Sequence, residues 1–290
     1  MTSGSDNIRF QADHHPLVFN GSFASLAEYC LHLVHQKAYE EAALLAAGQT
    51  VLDLGCNNGY GSAVLAQICR QVAALDVSPT AIQDAQARFG NRGIDFRVYD
   101  GQKIPFDDLS FDVVVSFQVI EHLEDTAPYL TEIARVLRPS GVAVFTTPNA
   151  AIRLDRDMKP WNEFHVREYR AAELAELLKV MFAEVDIRGL FATEELYRTE
   201  YARCQRALQT ARNRHFQPRK SLAEQGRDRL IHLTKAILPS WAVDCVRARR
   251  TMTPPELDPA IIEKYSTDDF FYKSDNLDEA LDLMAICRVA

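Results

Sequence analysis

The stretch VLDLGCNNGYGS, residues 51–62, decides how this chain is read. An apolar run holding one aspartate leads into a glycine-rich loop, and a segment of helical composition comes next. That order marks a strand handing over to a helix through a loop shaped around a ligand. Gly55, Gly59 and Gly61 allow backbone angles and a close approach that side chains would block. Asn57 stands where such loops usually carry a second glycine. Asparagine is among the few other residues that enter left-handed geometry at modest cost, so the loop is expected to keep its path and its binding.

Outward from this loop, short apolar runs alternate with helix-length amphipathic segments. TVLDL, QVAALD, IDFRVY, FDVVVSF, VAVFTT and AEVDIRGL read as strands. Strands that alternate with helices imply parallel pairing through crossovers. Near the end NLDEAL reads as a helix and DLMAICRV as a last strand, which gives an α/β fold: a doubly wound, seven-stranded, mostly parallel sheet. Ligands bind such sheets at the carboxyl ends of the strands near the topological switch point, where this loop lies. Asp76 ends the second strand and is placed to accept both hydroxyls of an adenosine ribose, a feature shared by several nucleotide-binding families.

Composition excludes other classes. With 47% apolar and 25% charged residues in 290, the chain has ample material for a globular core. There is no run of about 18 uncharged apolar residues. The start, MTSGSDNIRFQADHH, lacks a basic flank followed by an apolar core, so a cytoplasmic protein is expected. Six cysteines without CxxC spacing read as reduced, structural thiols. The net charge of −8 is uneven: residues 201–250 hold twelve Lys/Arg against three Asp/Glu, a local +9 that leaves −17 elsewhere. Composition breaks at HFQPRK, Pro239 and TMTPPELDP bracket this basic stretch as an insertion.

Three later segments narrow the choice of ligand. YDGQKIPF puts Asp100 after the third strand, FQVIEHLED follows the fourth, and RVLRPSGVAVFTTPN precedes and forms the fifth. Together with VLDLGCNNGYG and LDVS they resemble the class I S-adenosylmethionine-dependent methyltransferases, over about residues 25–190 and the last twenty. The resemblance implies a Rossmann-like methyltransferase fold with S-adenosyl-L-methionine as cofactor. It places Asp53, Gly55, Asn57 and Gly59 around the methionine part, Asp76 on the ribose, Asp100 at the adenine amino group and Gln118 beside the sulfonium, with Val77 and Gly101 also among the cofactor-binding residues. An acidic pocket without a P-loop lysine suits a cofactor that carries a sulfonium and an ammonium instead of a pyrophosphate. The competing reading makes Asp53 and Asp100 simple turn caps, and a dinucleotide dehydrogenase leaves VIEHL and LRPSG unexplained.

Methyl transfer is an in-line displacement, so positioning and exclusion of water carry most of the catalysis. A hydroxyl acceptor also needs a base. Glu121 and His122 follow the fourth strand at the right edge, and imidazole takes a proton near neutrality; the alternative is a structural helix-start pair. His165, in PWNEFHVREY, is a second candidate on a segment expected to return over the pocket. There Trp161, Phe164 and Tyr169 either stack on an acceptor ring or form a hydrophobic staple before AAELAELLKVMF. Arg167 either holds an acidic group or, with Glu168, is a solvated helix-start charge. Glu121, His122 and His165 loosely resemble the metal set of small-RNA 3′-terminal methyltransferases, E-x-x-E-H plus a distant histidine. Gln118 replaces the first glutamate of that set, and a neutral amide is a poor ligand for a hard divalent ion, so no metal is expected.

The domain organisation that follows is a helical lid over 1–45, a cofactor-binding core over 46–195, a basic helical insertion over 196–265 and a C-terminal return to the sheet over 266–290. In the lid, His32 and His35 read as packing residues. In the insertion, Leu230, Ile231, Leu233, Ile237, Leu238 and Trp241 lie among arginines, a composition that suits dimer packing, a peripheral membrane contact or an anionic acceptor. Too few aromatics are interleaved for single-stranded nucleic acid. The layout resembles bacterial methyltransferases of cell-surface glycan and secondary biosynthesis. It implies O-methylation of a sugar-containing or other hydroxylated acceptor, including one bearing phosphate or a lipid carrier. RNA 2′-O-methylation, and a regulatory subunit that binds cofactor without catalysis, are the alternatives.

Overall fold

Strand β1 (Thr50–Leu54) is buried along its whole length, as a central strand covered on both faces must be. It is the centre of the computed structural model, which describes residues 22–216 and 256–289, with side chains described to residue 213 in the first stretch. β2 (Gln71–Asp76) and β3 (Asp95–Val98) extend the sheet on one side of β1. β4 (Phe111–Phe117) and β5 (Leu137–Pro148) extend it on the other. All five run parallel. β8 (Asp282–Arg288) inserts antiparallel between β5 and β6 (Glu184–Ala192). The chain thus reverses strand order beside β1, and the loop after β1 opens at that switch point.

The sheet is α/β and Rossmann-like, but it has eight strands, not seven. The addition is β7 (Phe270–Lys273), antiparallel on the outer edge of β6. FFYK is four residues long, with polar neighbours on both sides and no alternation long enough to read as a strand. The NLDEAL segment does not form the expected helix. It makes one 3-10 turn (Leu277–Glu279), entered through Asn276 at φ 54°. Asn149, just past β5, donates to the carbonyls of Leu277 and Ala280 at 2.7 and 2.8 Å and pins this short return.

Helices cover both faces. α1 (Leu26–Leu45) starts at Ser25, whose side chain accepts from the Glu28 amide. Its first half packs with Leu190, Phe270 and Leu281, and its second half, through Ala38, Tyr39, Ala42 and Ala43, packs on β1 and β4. α2 (Tyr60–Leu65) and α3 (Pro79–Phe89) share that face. α4 (Ala127–Val136) and α6 (Ala171–Lys179) cover the opposite one, with the four-residue α5 (Ala150–Arg153) between them in sequence. α7 (Glu194–Phe216) follows β6, and α8 (Pro259–Lys264) leads back toward β7. The basic stretch with Leu230 through Trp241, and Arg247, Arg249 and Arg250, lies outside the described residues. The five cysteines among the described residues are unpaired. No described helix is long and apolar enough to cross a membrane.

α1 packs closely on α2 at Gly61. A Cβ on Gly61 would lie 2.0–2.4 Å from three ring atoms of Tyr39, a buried residue that cannot step aside. Gly61→Ala should therefore lower the free energy of unfolding by about 1–3 kcal/mol through overpacking. Urea denaturation of the two proteins checks this, and an unchanged midpoint and slope would show that α1 is not locked there.

Candidate functional site

The loop after β1 is built on left-handed backbone at three positions: Gly55 at φ 90°, Asn57 at φ 47° and Gly59 at φ 77°. At Gly55 an added Cβ would lie 2.5 Å from Val119, and at Gly59 it would lie 2.8 Å from Ala85 and Phe96. Asn57 supplies its positive φ without glycine, and its side-chain oxygen accepts from the Asn58 amide at 2.7 Å. The carboxylate of Asp76, at the end of β2, accepts from the Asn57 and Ser78 amides, both at 2.8 Å. One acidic side chain therefore fixes both loops that face the switch point.

Asp53 is fully buried and accepts from Ser62 Oγ at 2.6 Å and from the Tyr39 hydroxyl at 3.2 Å. Burial pushes its carboxyl up to about 7 against the pull of those two hydrogen bonds. Its partners are side chains of α2 and α1, so it is not a turn cap. Asp100 is exposed and does cap a turn, accepting from the Gln102 and Lys103 amides at 2.8 and 3.0 Å. Gly101 follows at φ 78°, where a Cβ would sit 3.3 Å from half-buried Val77.

Gln118 leaves β4 at φ 56°. Its backbone amide donates to the Thr146 carbonyl at 2.9 Å. Its Nε2 donates to Thr146 Oγ1 at 3.3 Å and to the Asp282 carboxylate at 3.1 and 3.3 Å. Asp282 escaped sequence reasoning because DLMAICR reads as a plain core strand. The available signal was an acidic residue opening an otherwise apolar run.

The turn after Gln118 receives the predicted return of PWNEFHVREY. The Val166 and Arg167 amides donate to the Glu121 carbonyl at 2.8 and 3.2 Å. Glu121 is fully buried: Oε2 accepts from Thr147 Oγ1 at 3.1 Å, Oε1 has no hydrogen-bond partner, and burial pushes the carboxyl up to about 7. His122 Nδ1 lies 2.7 Å from the Phe164 carbonyl, which fixes the proton on Nδ1, and burial lowers its basicity. His165 has both ring nitrogens engaged, Nδ1 with Glu168 at 2.7 Å and Nε2 with the Asn162 amide at 2.8 Å. The two imidazoles meet edge to face at 4.9 Å. One ligand atom from each of Glu121, His122 and His165 falls within 4.8 Å of the others.

Glu168 is not a solvated helix-start charge. Its buried carboxylate takes a bidentate pair from buried Arg153 at 2.8 and 2.9 Å. Burial pushes that carboxyl up, but the bonds from His165 and Arg153 prevail and hold it at about 2. Arg153 in turn lies 4.2 Å from the Trp161 ring, and Trp161 donates to the Arg153 carbonyl at 3.2 Å. Tyr169 is buried in the core, and exposed Arg167 lies over its ring at 5.0 Å. His32 packs among Phe23, Tyr29 and Tyr60, and burial holds it at about 4.

The edge of the sheet thus carries Asp53, Asp76, Glu121 and Asp282 around a glycine cradle. No lysine or arginine occurs in residues 50–66. This donor set fits a nucleoside with cationic substituents and not a pyrophosphate, which needs cations around it. Comparison with known proteins agrees. Residues 52–145 match the family model described as a methyltransferase domain. A probable S-adenosylmethionine-dependent methyltransferase of Mycolicibacterium smegmatis is 42% identical over 158 residues, 54% of this chain and 61% of that protein. A fatty-acid O-methyltransferase of the same organism is 33% identical over 123 residues, 42% of this chain and 44% of that one. The chain thus spans less than two thirds of the length of these relatives. The solved structure of a SAM-dependent methyltransferase of Thermotoga maritima, described as a possible histamine N-methyltransferase, shares the fold at a TM-score of 0.52 and 11% identity, covering 90% of this chain and 92% of its own. Motifs in order, a sheet that reverses beside β1 and a glycine cradle with acidic partners mark residues 52–145 as a methyltransferase domain of the S-adenosylmethionine-dependent kind.

Proposed function

We propose that this chain methylates a hydroxyl oxygen of a sugar-containing or other hydroxylated acceptor. The observation that carries the reading is the Glu121–His122 turn beside Gln118 at the carboxyl edge, with Glu121 buried, His122 half-buried and the His122 proton fixed on Nδ1. S-adenosyl-L-methionine supplies an electrophilic methyl group on sulfur and leaves as a neutral thioether. Gly55, Asn57 and Gly59 shape the cradle for its methionine part, with Asp53 beneath them. Asp76 would receive the ribose, Asp100 the adenine and Gln118 the sulfur end, with Val77 and Gly101 also lining the cofactor site. His122, kept neutral by burial, would take the proton of the acceptor hydroxyl as the oxygen gains the methyl group. His165 is better suited to holding Glu168 and Asn162 in place than to moving a proton, since both its nitrogens are engaged.

A fatty-acid O-methyltransferase among the relatives favours a second acceptor class, a carboxylate, which needs no base. The basic insertion suits an anionic or carrier-linked acceptor of either kind. α1 stands as the candidate lid, and nucleic acid is disfavoured by the scarcity of stacking residues.

Three outcomes are expected. Asp76→Ala should weaken S-adenosylhomocysteine binding in calorimetry about tenfold or more, the size of one charge-assisted hydrogen bond; unchanged affinity in the folded variant removes the ribose assignment. His122→Asn should cut turnover of hydroxyl acceptors about a hundredfold or more while cofactor affinity holds, measured by mass spectrometry on a panel of hydroxylated and carboxylated acceptors. Loss on carboxylates as large as on hydroxyls would show that His122 is no base. Treatment with EDTA should leave activity intact, because Gln118 turns to Asp282 and His165 is already satisfied; loss restored by a divalent ion would overturn this.

A further inference from the structure

Asp282 is the first residue of an antiparallel strand, and that direction decides where it lands. It pairs across the sheet with Pro148, the last residue of β5, and with Leu190 of β6, which in turn pairs with Tyr272 of β7. It therefore stands at the edge where the parallel strands end and the glycine loop opens. It is only 5% exposed, and the hydrogen bonds to its carboxylate come from Gln118 Nε2. Nothing in the fold needs an acid there, since an apolar residue of similar size would fill the site at lower cost.

Gln118 is aimed with equal care. A non-glycine residue at φ 56° is held off its preferred backbone, and the Thr146 carbonyl locks the amide above it. Its Nε2 is taken by Asp282 and Thr146 together. The opposite end of the same planar group, Oε1, is turned away from both and has no hydrogen bond among the described residues. An amide oxygen presented this way is a ready partner for a cation and a poor one for a neutral, electron-rich sulfur.

We propose that Asp282 is a positioning residue which, by holding Gln118 Nε2, presents Gln118 Oε1 to the sulfonium and so makes the pocket prefer charged S-adenosylmethionine over neutral S-adenosylhomocysteine. The inference rests on the proposed cofactor site and assigns its charge selection to a strand far along the chain from the glycine loop. Such a preference helps the product leave, because the contact that favours the donor is lost once the methyl group has gone.

The test is calorimetric titration of the whole chain with S-adenosylmethionine and with S-adenosylhomocysteine. It compares wild type with Asp282→Leu, Asp282→Asn, Gln118→Leu and the Gln118→Leu/Asp282→Leu double variant. Asp282→Leu should weaken S-adenosylmethionine about tenfold and change S-adenosylhomocysteine less than about twofold. Asp282→Asn keeps an oxygen for Gln118 Nε2 and should restore most of the preference. With Gln118 already leucine, Asp282→Leu should change the ratio of the two affinities no further, as expected when one residue acts through the other. Equal weakening of both ligands, an unchanged ratio, or additive losses in the double variant would overturn the proposal. Should Asp282→Leu fail to fold, Asp282→Ala, which also removes the acceptor, makes the same comparison alone and combined with Gln118→Leu. If wild type binds neither ligand, the cofactor site itself is wrong, an outcome distinct from binding without charge preference.

Discussion

The site depends on one buried carboxylate. Asp53 sits inside the sheet at 0% exposure, and three elements converge on it: β1 carries it, α2 sends Ser62 to it, and α1 sends Tyr39. A buried acid is costly unless its oxygens are satisfied, so each of these partners must be present for the fold to tolerate it. Tyr39 can reach Asp53 only because residue 61 has no side chain. The glycine that sequence reasoning assigns to ligand approach thus also admits a tyrosine ring. The N-terminal helix is tied to the cofactor cradle by a hydrogen bond and by packing, which ties any movement of a lid built on α1 to the state of Asp53.

A buried ion pair, Arg153 with Glu168, organises the other half of the pocket. Segment 155–170 has little regular structure, yet its C-terminal end is anchored twice: Glu168 grips Arg153 of α5, and the Glu121 carbonyl holds the Val166 and Arg167 amides. Removing one partner of a buried pair costs about 3–5 kcal/mol because the other is left stranded. His165 joins the same carboxylate and reaches through Asn162 and Phe164 to His122. The geometry of the candidate base is therefore set by residues about forty positions later in the chain. Rigid positioning of this kind is what a displacement reaction draws on.

These two networks explain how much of the molecule is legible in the sequence. Strands β1, β2, β4 and β5 read directly, because a strand buried on both faces must be an unbroken apolar run, and their order with the glycine loop points to the switch point. Asn57 reads correctly as a left-handed substitute for glycine. β7 does not read, since four residues at an edge carry too little pattern, and NLDEAL misleads because helical composition yields to the short span between β7 and β8. Glu168 and Asp282 stay hidden for a different reason. Each is a charge whose burial depends on a partner distant in sequence, Arg153 in one case and Gln118 in the other, and local pattern carries no record of that pairing.

The same physics shapes the balance of charge at the pocket. Burial raises the proton affinity of Asp53, Glu121 and Asp282, so an uncompensated negative cluster is avoided by partial protonation. Glu168, with a guanidinium and an imidazole on it, is instead held at about 2. A cation arriving at this edge finds carboxyls that can give up protons to meet it, whereas an anion finds none of the lysines or arginines it would need in the loop. The charge of this edge therefore suits a cationic ligand through what it lacks as much as through what it holds. The cations that an anionic acceptor would require must come from elsewhere in the chain, and residues 201–250 are where the sequence concentrates them.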